Sequence, residues 1–420
     1  MRAYDRRPGR KWPLIAIAVV VLASIVGVVT WLLPLRSASQ AGTAGAAATS
    51  IAAATGSGSP SDRAAAPEFA AFWQQHRGAI GSPTSAPASA DGVLRQEFAH
   101  GVMYGSETGQ LGFASGGILS ALEKADPASV GTPVGMATCY DRKRSCYQEL
   151  TAGVVVWSER DGAQVLSSQS TPRLAGSPNF RDVAGEGSGL TLAGGGHMRR
   201  SVVYRSGDLS DLTPTDVLVL RALGVTTVFD LRTPSAVRTS PDPRIKGVRD
   251  VLINLFGVDS TASTPLHSVA EGAGRVEDWN RGFVADPVQR ARLRSLLEQI
   301  AASDGPVLIH CTSGKDRSGW SAAMLQFIAG ASREQVLSEY LKSNSYRKQQ
   351  IASDYRRDVA RYGTVVAQAR RAVNRVEPSY LEAGLSLAEK RYGSVMGYLT
   401  RGVGLSDATL SRLRAKLVTD

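Results

Sequence analysis

Cysteine and histidine are both scarce in this chain: three cysteines and five histidines among 420 residues. No histidine lies near Cys139 and Cys146, so the four-ligand set of a zinc site is incomplete there. No repeated aromatic-basic pattern runs along the chain, which argues against stacking on nucleic acid. Arg6-Arg7 lacks the context of a twin-arginine signal. Residues 37–66, almost wholly Ala, Gly, Ser and Thr, hold nothing that can bury a core. What the chain does have is a globular balance of 43% hydrophobic and 20% charged residues, with a net charge of +11. That charge favours anionic partners such as lipid head groups or phosphorylated substrates without naming one.

The amino end carries a long apolar run. Arg2, Arg6, Arg7, Arg10 and Lys11 precede Leu14–Leu33, which is uncharged throughout. A helix of this length rises about 30 Å, the thickness of a bilayer's hydrocarbon core. The run exceeds the apolar core of a cleaved leader, and the basic flank holds the N-terminus in the cytoplasm. The expected order is a cytoplasmic basic segment (1–13), a transmembrane signal anchor (14–35), and a flexible extracytoplasmic linker (36–66). Cleavage within 37–44 is the alternative.

Residues 67–168 read as two copies of one unit. AIGSP (79–83) returns as SVGTP (129–133), and QEFAHGVMYGS (96–106) as QELTAGVVVWS (148–158). The offset grows from 50 to 52 residues, placing a short insertion near CYDRKRSC (139–146). In an exported segment Cys139 and Cys146 most simply form a disulfide, with metal binding the weaker reading. Short β-prone stretches between Gly-Pro turns predict a small β-rich domain. These segments resemble LGFP repeats of actinobacterial envelope proteins. The resemblance implies a cell-wall polymer as partner, and a ligand-free structural domain is the plainer alternative.

From residue 172 the texture becomes α/β. SVVYRS (201–206), VTTVFDLRT (225–233) and PVLIH (306–310) read as strands. TPTDVLVLRALG (213–224), DPVQRARLRSLLEQIAAS (286–303) and DRSGWSAAMLQFIAGA (316–331) read as helices. The alternation predicts a largely parallel central sheet, followed by a mostly helical C-terminal part over 332–420. Within it SREQVLSEYLKSN begins at a serine cap. The basic stretch 345–378 reads equally as a lid over a site or as a solvated helical face.

The third cysteine lies in HCTSGKDRS (310–318), between a buried strand and a helix start. Amides of a tight loop at a helix N-terminus bind a dianion, and Gly314 permits the backbone angles this needs. Arg317 offers a planar fork for two phosphoryl oxygens. The same positive field favours the thiolate of Cys311, which can attack phosphorus and form a cysteinyl-phosphate. Ser318 donates to the sulfur as it leaves, and His310 braces the loop. His310, Thr312, Ser313, Gly314 and Lys315 form the substrate-binding loop. No metal or cofactor is called for.

These residues resemble the P-loop of the PtpB-like bacterial tyrosine phosphatases, which carries Lys-Asp just before the Arg. NFRDVAG (179–185), YRSGDLSDLT (204–213), VFDLRTPSA (228–236), EYLKSN (339–344) and RYGSVMGYL (391–399) extend the resemblance over residues 172–420. It implies a phosphatase-like α/β fold, hydrolysis of phosphotyrosine and often of phosphoserine, phosphothreonine and phosphoinositides. Lys315 then adds charge for lipid head groups, or is simply solvated. The Trp-Pro-Asp loop of animal enzymes is absent. Position within the resemblance makes Asp259 the first candidate general acid and Asp316 the second. Arg181, Asp182 and Arg205 either line the pocket rim or form internal ion pairs. The resulting expectation is an anchored, outward-facing enzyme. Its rivals are a phosphate-capturing wall protein and a rhodanese-like sulfur transferase.

Overall fold

Residues 64–419, apart from 141, 143, 169 and 260–264, are described by a computed structural model. The anchor expected over 14–35 and the linker up to residue 63 lie outside the described residues. The last residues of that expected linker, Ala64–Ala66, are tied down instead of free. Ala66 is buried, and the amide side chain of Gln96 accepts from its N–H and donates to Ala64 O. Among the described residues no helix is long and apolar enough to cross a membrane.

The two segments matched in sequence adopt the same strand pattern. Val93–Phe98, Gly101–Gly105 and Leu111–Ala114 form one antiparallel meander. Ser145–Leu150, Gly153–Ser158 and Gly162–Ser167 form the other. Pro83 bridges Phe98 as Pro133 bridges Leu150, and the buried Gln96 is matched by the buried Gln148, which donates to Val134 O. The length difference falls in one hairpin turn. Ala90 pairs with Val93 across two residues, whereas Tyr140 pairs with Ser145 across four. Cys139 and Cys146 face each other across that longer hairpin and are disulfide-bonded.

The second meander is fused to the α/β half. Val154, Val156 and Leu166 share one apolar cluster with Tyr204, Leu218, Val219, Leu220 and Leu308. Arg221 lies over the Tyr140 ring at 4.3 Å, and Thr215 donates to Asp161. Burial on both sides of residue 170 therefore depends on a common core.

Within residues 172–419 the central sheet contains β1 (Arg181–Asp182), β2 (Val203–Ser206), β3 (Thr227–Asp230), β4 (Arg249–Leu252) and β5 (Val307–His310). Their order is β1–β2–β5–β3–β4, with β2, β5, β3 and β4 parallel and β1 antiparallel to β2. β2, β3 and β5 are buried at every position, as a sheet covered on both faces requires. Ser206, His310 and Asp230 lie in register at the carboxyl ends of these strands. In open α/β sheets that edge is where ligands bind.

The longer helices are α1 (Pro214–Ala222), α2 (Val269–Ala285), α3 (Pro287–Ala302), α4 (Arg317–Ala329), α5 (Arg333–Tyr346), α6 (Lys348–Tyr362), α7 (Thr364–Asn374), α8 (Pro378–Tyr392) and α9 (Asp407–Leu417). Local chemistry sets their ends. Thr213 and Ser332 form capping boxes with Asp216 and Gln335, Asp286 caps α3 ahead of Pro287, and Gly330 ends α4 in the left-handed region. α4 is buried along almost its whole length, so it lacks an amphipathic stripe. Trp320, in its first turn, is fully buried between Phe283 and Tyr398, with ring centroids at 5.6 and 5.9 Å. This contact pins the start of α4, and hence the loop before it, to the helical layer.

Candidate active site

The loop 311–316 leaves β5 and enters α4 at Arg317. Gly314 has φ +67°, and a Cβ there would lie 2.3 Å from Ser206 O and 2.4 Å from Ser206 C. The turn thus passes directly against the end of β2, and only glycine fits. The outward side of the loop is tied down by side chains from other elements. Arg205, fully buried on β2, donates from Nη2 to Gly314 O at 2.5 Å, and Asn179 Nδ2 donates to Ser313 O at 3.0 Å. Asp208 N–H donates to Thr312 O at 3.1 Å. Loop carbonyls are drawn outward by these bonds, which leaves the amides free to converge on a bound anion.

Cys311 sits at the centre, 2% exposed. Burial pushes its thiol up, but the Arg317 guanidinium and the hydroxyl and amide of Ser318 outweigh it. The thiol is held below its ordinary value of 9.0. The Ser318 hydroxyl is buried with no nitrogen or oxygen partner, so the sulfur is what it serves. Arg317 is half-buried, donating to Leu231 O and to Thr312 Oγ1, both at 3.1 Å. Its guanidinium lies 4.6 Å from the centre of the Phe256 ring, which itself stacks on Phe283. Sequence reasoning missed Phe256, although it lies in the segment 252–263 that was read as carrying the general acid.

Lys315 is buried rather than solvated, and its ammonium donates to Asp316 Oδ1 at 2.8 Å. Burial lowers the Lys315 pKa, and the Asp316 carboxylate partly restores it. Arg347, at the start of α6, is also buried. Burial lowers its pKa against the opposing pull of Asp316, Asp354 and Cys311. Asp316 therefore shares one electrostatic neighbourhood with the sulfur and two cations. Asp259 stands elsewhere: exposed, its carboxylate accepts from Ser235 N–H at 2.8 Å and Arg238 Nη2 at 3.1 Å. Those bonds hold it below the ordinary carboxylate value.

His310 is fully buried, with Nε2 3.2 Å from Asp242 Oδ2 and 3.7 Å from Asp230 Oδ1. Arg232, also fully buried, bonds Asp208, Asp230 and Asp242 at 2.8, 2.8 and 2.6 Å and donates to Ser240 O. This guanidinium knits the segments after β2 and β3 to the base of the catalytic loop. Arg181 belongs to the internal-pair reading: its Nε meets Glu339 Oε1 at 2.5 Å, both buried. Asp182 accepts from the Ser201 and Ala184 amides, and burial pushes its carboxyl up to about 6. Among the described residues Arg205 pairs with no acid; fully buried, it holds loop carbonyls instead of lining a rim.

Residues 172–419 match the model of the tyrosine phosphatase family. The chain is 30% identical over 280 residues to the triple specificity protein phosphatase PtpB of Mycobacterium tuberculosis, covering 58% of this chain and 98% of that protein. It is 28% identical over 271 residues to a tyrosine-protein phosphatase of Nostoc commune, covering 59% and 89% respectively. Among solved structures, Pseudomonas aeruginosa TpbA with phosphotyrosine is 22% identical, covering 41% of this chain and 86% of that one at a TM-score of 0.22. The extent of the family match and the loop built around Cys311 lead to one assignment: the chain belongs to the tyrosine phosphatase family and is a cysteine-dependent protein-tyrosine phosphatase.

Proposed function

We propose that Cys311 takes the phosphoryl group of a phosphomonoester onto its sulfur while Arg317 and the loop amides of 312–317 hold the three non-bridging oxygens. Water then releases phosphate. The observation that carries this reading is the buried sulfur at the mouth of α4, held below the ordinary thiol value by Arg317 and Ser318. A helix N-terminus, converging amides and a guanidinium together stabilise charge that grows in the transition state. Ser318 donates to the sulfur when it departs.

For the general acid, the geometry favours Asp316 over Asp259. Asp316 is buried within the catalytic loop, whereas Asp259 is bound to Ser235 and Arg238 and held in its charged form. On this reading Asp316 supplies the proton to the leaving phenolate.

For substrate class, we read phosphoproteins first and phosphoinositides beside them, in keeping with a relative named a triple specificity protein phosphatase. The Lys315 and Arg347 cations behind the loop fit a doubly charged head group. Residues 14–35 anchor the enzyme, the Cys139–Cys146 disulfide fits an oxidising extracytoplasmic side, and the paired meanders of 67–168 act as LGFP-type wall-associating repeats. The test of the reaction is turnover of para-nitrophenyl phosphate by the full chain and its Cys311→Ser variant. Loss of about 10³-fold or more is expected for removal of a covalent nucleophile. Equal rates would refute the mechanism.

A further inference from the structure

Helices α6 and α7 form a hairpin whose connecting turn is built on Gly363, at φ +81°. Each residue from Ala360 to Val365 is exposed. Tyr362 is 43% and Val365 65% exposed, two of the few large apolar side chains left in solvent. The guanidiniums of Arg361 and Arg370 lie 5.3 and 5.1 Å from the centre of the Tyr362 ring. Residues 347–375 hold eight basic and two acidic side chains, a net +6 against +11 for the whole chain. Both acids are already matched, Asp354 by Arg357 and Asp358 by Arg370. Lys348, Arg356, Arg361 and Arg371 are exposed and, among the described residues, have no acidic partner within ion-pair distance.

An uncompensated positive charge on a solvated helix face needs no apolar tip, and an apolar tip alone invites aggregation. Together they match a lipid interface, where an aromatic ring and a branched aliphatic enter the headgroup boundary while arginines reach lipid phosphates. The hairpin is rooted beside the chemistry. Arg347, at the start of α6, feels Cys311 and Asp316, and its Nη1 donates to Asn374 O at the end of α7. α7 packs on α2, where Gly272 lies against Ala369 and Ala372.

We propose that the α6–α7 hairpin docks on an anionic lipid bilayer, with Tyr362 and Val365 entering the interface and Arg361 and Arg371 pairing with lipid phosphates. Each such cation contributes about five-fold to membrane partition at low salt, so removing two costs at least about 25-fold. Its residues lie outside any N-terminal anchor in the sequence and outside the groups proposed for turnover.

The full chain, reconstituted in phosphatidylcholine bilayers with or without phosphatidylglycerol, tests it by deuterium exchange of peptides covering 356–371. Exchange around Tyr362 slows on the anionic bilayer alone, and raised salt reverses the slowing. Arg361→Glu/Arg371→Glu and Tyr362→Ser/Val365→Ser each abolish it. Unchanged para-nitrophenyl phosphate turnover in both variants shows that the fold is intact. Identical exchange on the two bilayers, as a protein or nucleic-acid partner for this hairpin would give, overturns the proposal. So does slowing on both bilayers that survives charge reversal.

Discussion

Replacing Asp316 by Asn separates the two candidate acids through the chemistry of the leaving group. A positioned general acid contributes roughly 10²- to 10⁴-fold when the departing group is a poor one, and a tyrosine phenolate has a conjugate-acid pKa of about 10. A nitrophenolate leaves without much help. Asp316→Asn should therefore cut turnover of phosphotyrosine peptide by about 10² or more while sparing para-nitrophenyl phosphate far better. The substitution also disturbs structure, because Lys315 is 2% exposed and donates to this carboxylate at 2.8 Å. Asn keeps an oxygen toward the ammonium, so the cost is that of weakening one charge-assisted bond, about 2 kcal/mol. For a domain of this size that lowers Tm by roughly 4–8 °C, leaving the protein folded at the assay temperature. The ratio of the two rates at 25 °C is thus the readout, with Tm as the control. A ratio unchanged in Asp316→Asn but depressed in Asp259→Asn would refute the assignment and move the acid to the exposed loop.

Ser318→Ala removes one group that holds the Cys311 thiol below 9.0, so the pH midpoint of iodoacetamide inactivation should move upward. Since the wild-type thiol is lowered, its thiolate and its reactivity persist to lower pH than those of an ordinary cysteine; a midpoint unmoved by the substitution would discount the hydroxyl. Gly314→Ala places a methyl 2.3 Å from Ser206 O in a left-handed backbone, and should abolish orthovanadate binding while the melting curve stays cooperative. Retained inhibition by vanadate would show that the loop needs no glycine there. A chain beginning at residue 172 loses Val154, Val156 and Leu166 from the cluster containing Leu218 and Tyr204, and should melt several degrees below the chain beginning at 58. Equal Tm values would show that the shared core adds nothing.

The parts of the site that were legible in the sequence are those where several constraints fall on neighbouring residues. Residues 306–318 combine an apolar strand, a glycine turn and a helix start with a thiol and a guanidinium. Short-range physics therefore brings Cys311, Gly314, Arg317 and Ser318 to one strand-to-helix turn. The caps Thr213, Asp286 and Ser332 were readable for the same reason. What could not be read are contacts made across the chain by residues of ambiguous type. An arginine in a strand looks alike whether it binds substrate, pairs with an acid or holds a carbonyl. Arg181 does the second with Glu339, 158 residues away, and Arg205 the third with Gly314, 109 residues away. Asp259 was read from its place in a segment, and its carboxylate is engaged by Ser235 and Arg238, neighbours on the short helix Pro234–Thr239 after β3. Lys315 looked like a loop cation because nothing local announces that it is buried beside Asp316 and Arg347.

The distribution of arginines explains how an anion site made mostly of backbone stays open. A loop whose amides all point inward must turn its carbonyls outward, and buried carbonyls require donors. Arg205 supplies one for Gly314 O, with Asn179 and the Asp208 amide serving Ser313 and Thr312. Burying a guanidinium is costly, and here burial and the nearby Arg181 bring the Arg205 pKa down to about 9. Arg232 meets the same demand differently, surrounded by three carboxylates and a main-chain oxygen. Arg317 alone in the loop keeps part of its fork toward solvent, resting on Phe256. In the proposed mechanism Arg317 is the charge that follows the phosphoryl oxygens, while the buried charges beneath it hold the loop. Substituting Arg205 by Met would keep the bulk of the side chain and leave Gly314 O without its donor. The expected result is a loss in phosphate affinity and in kcat together, with Arg317 untouched.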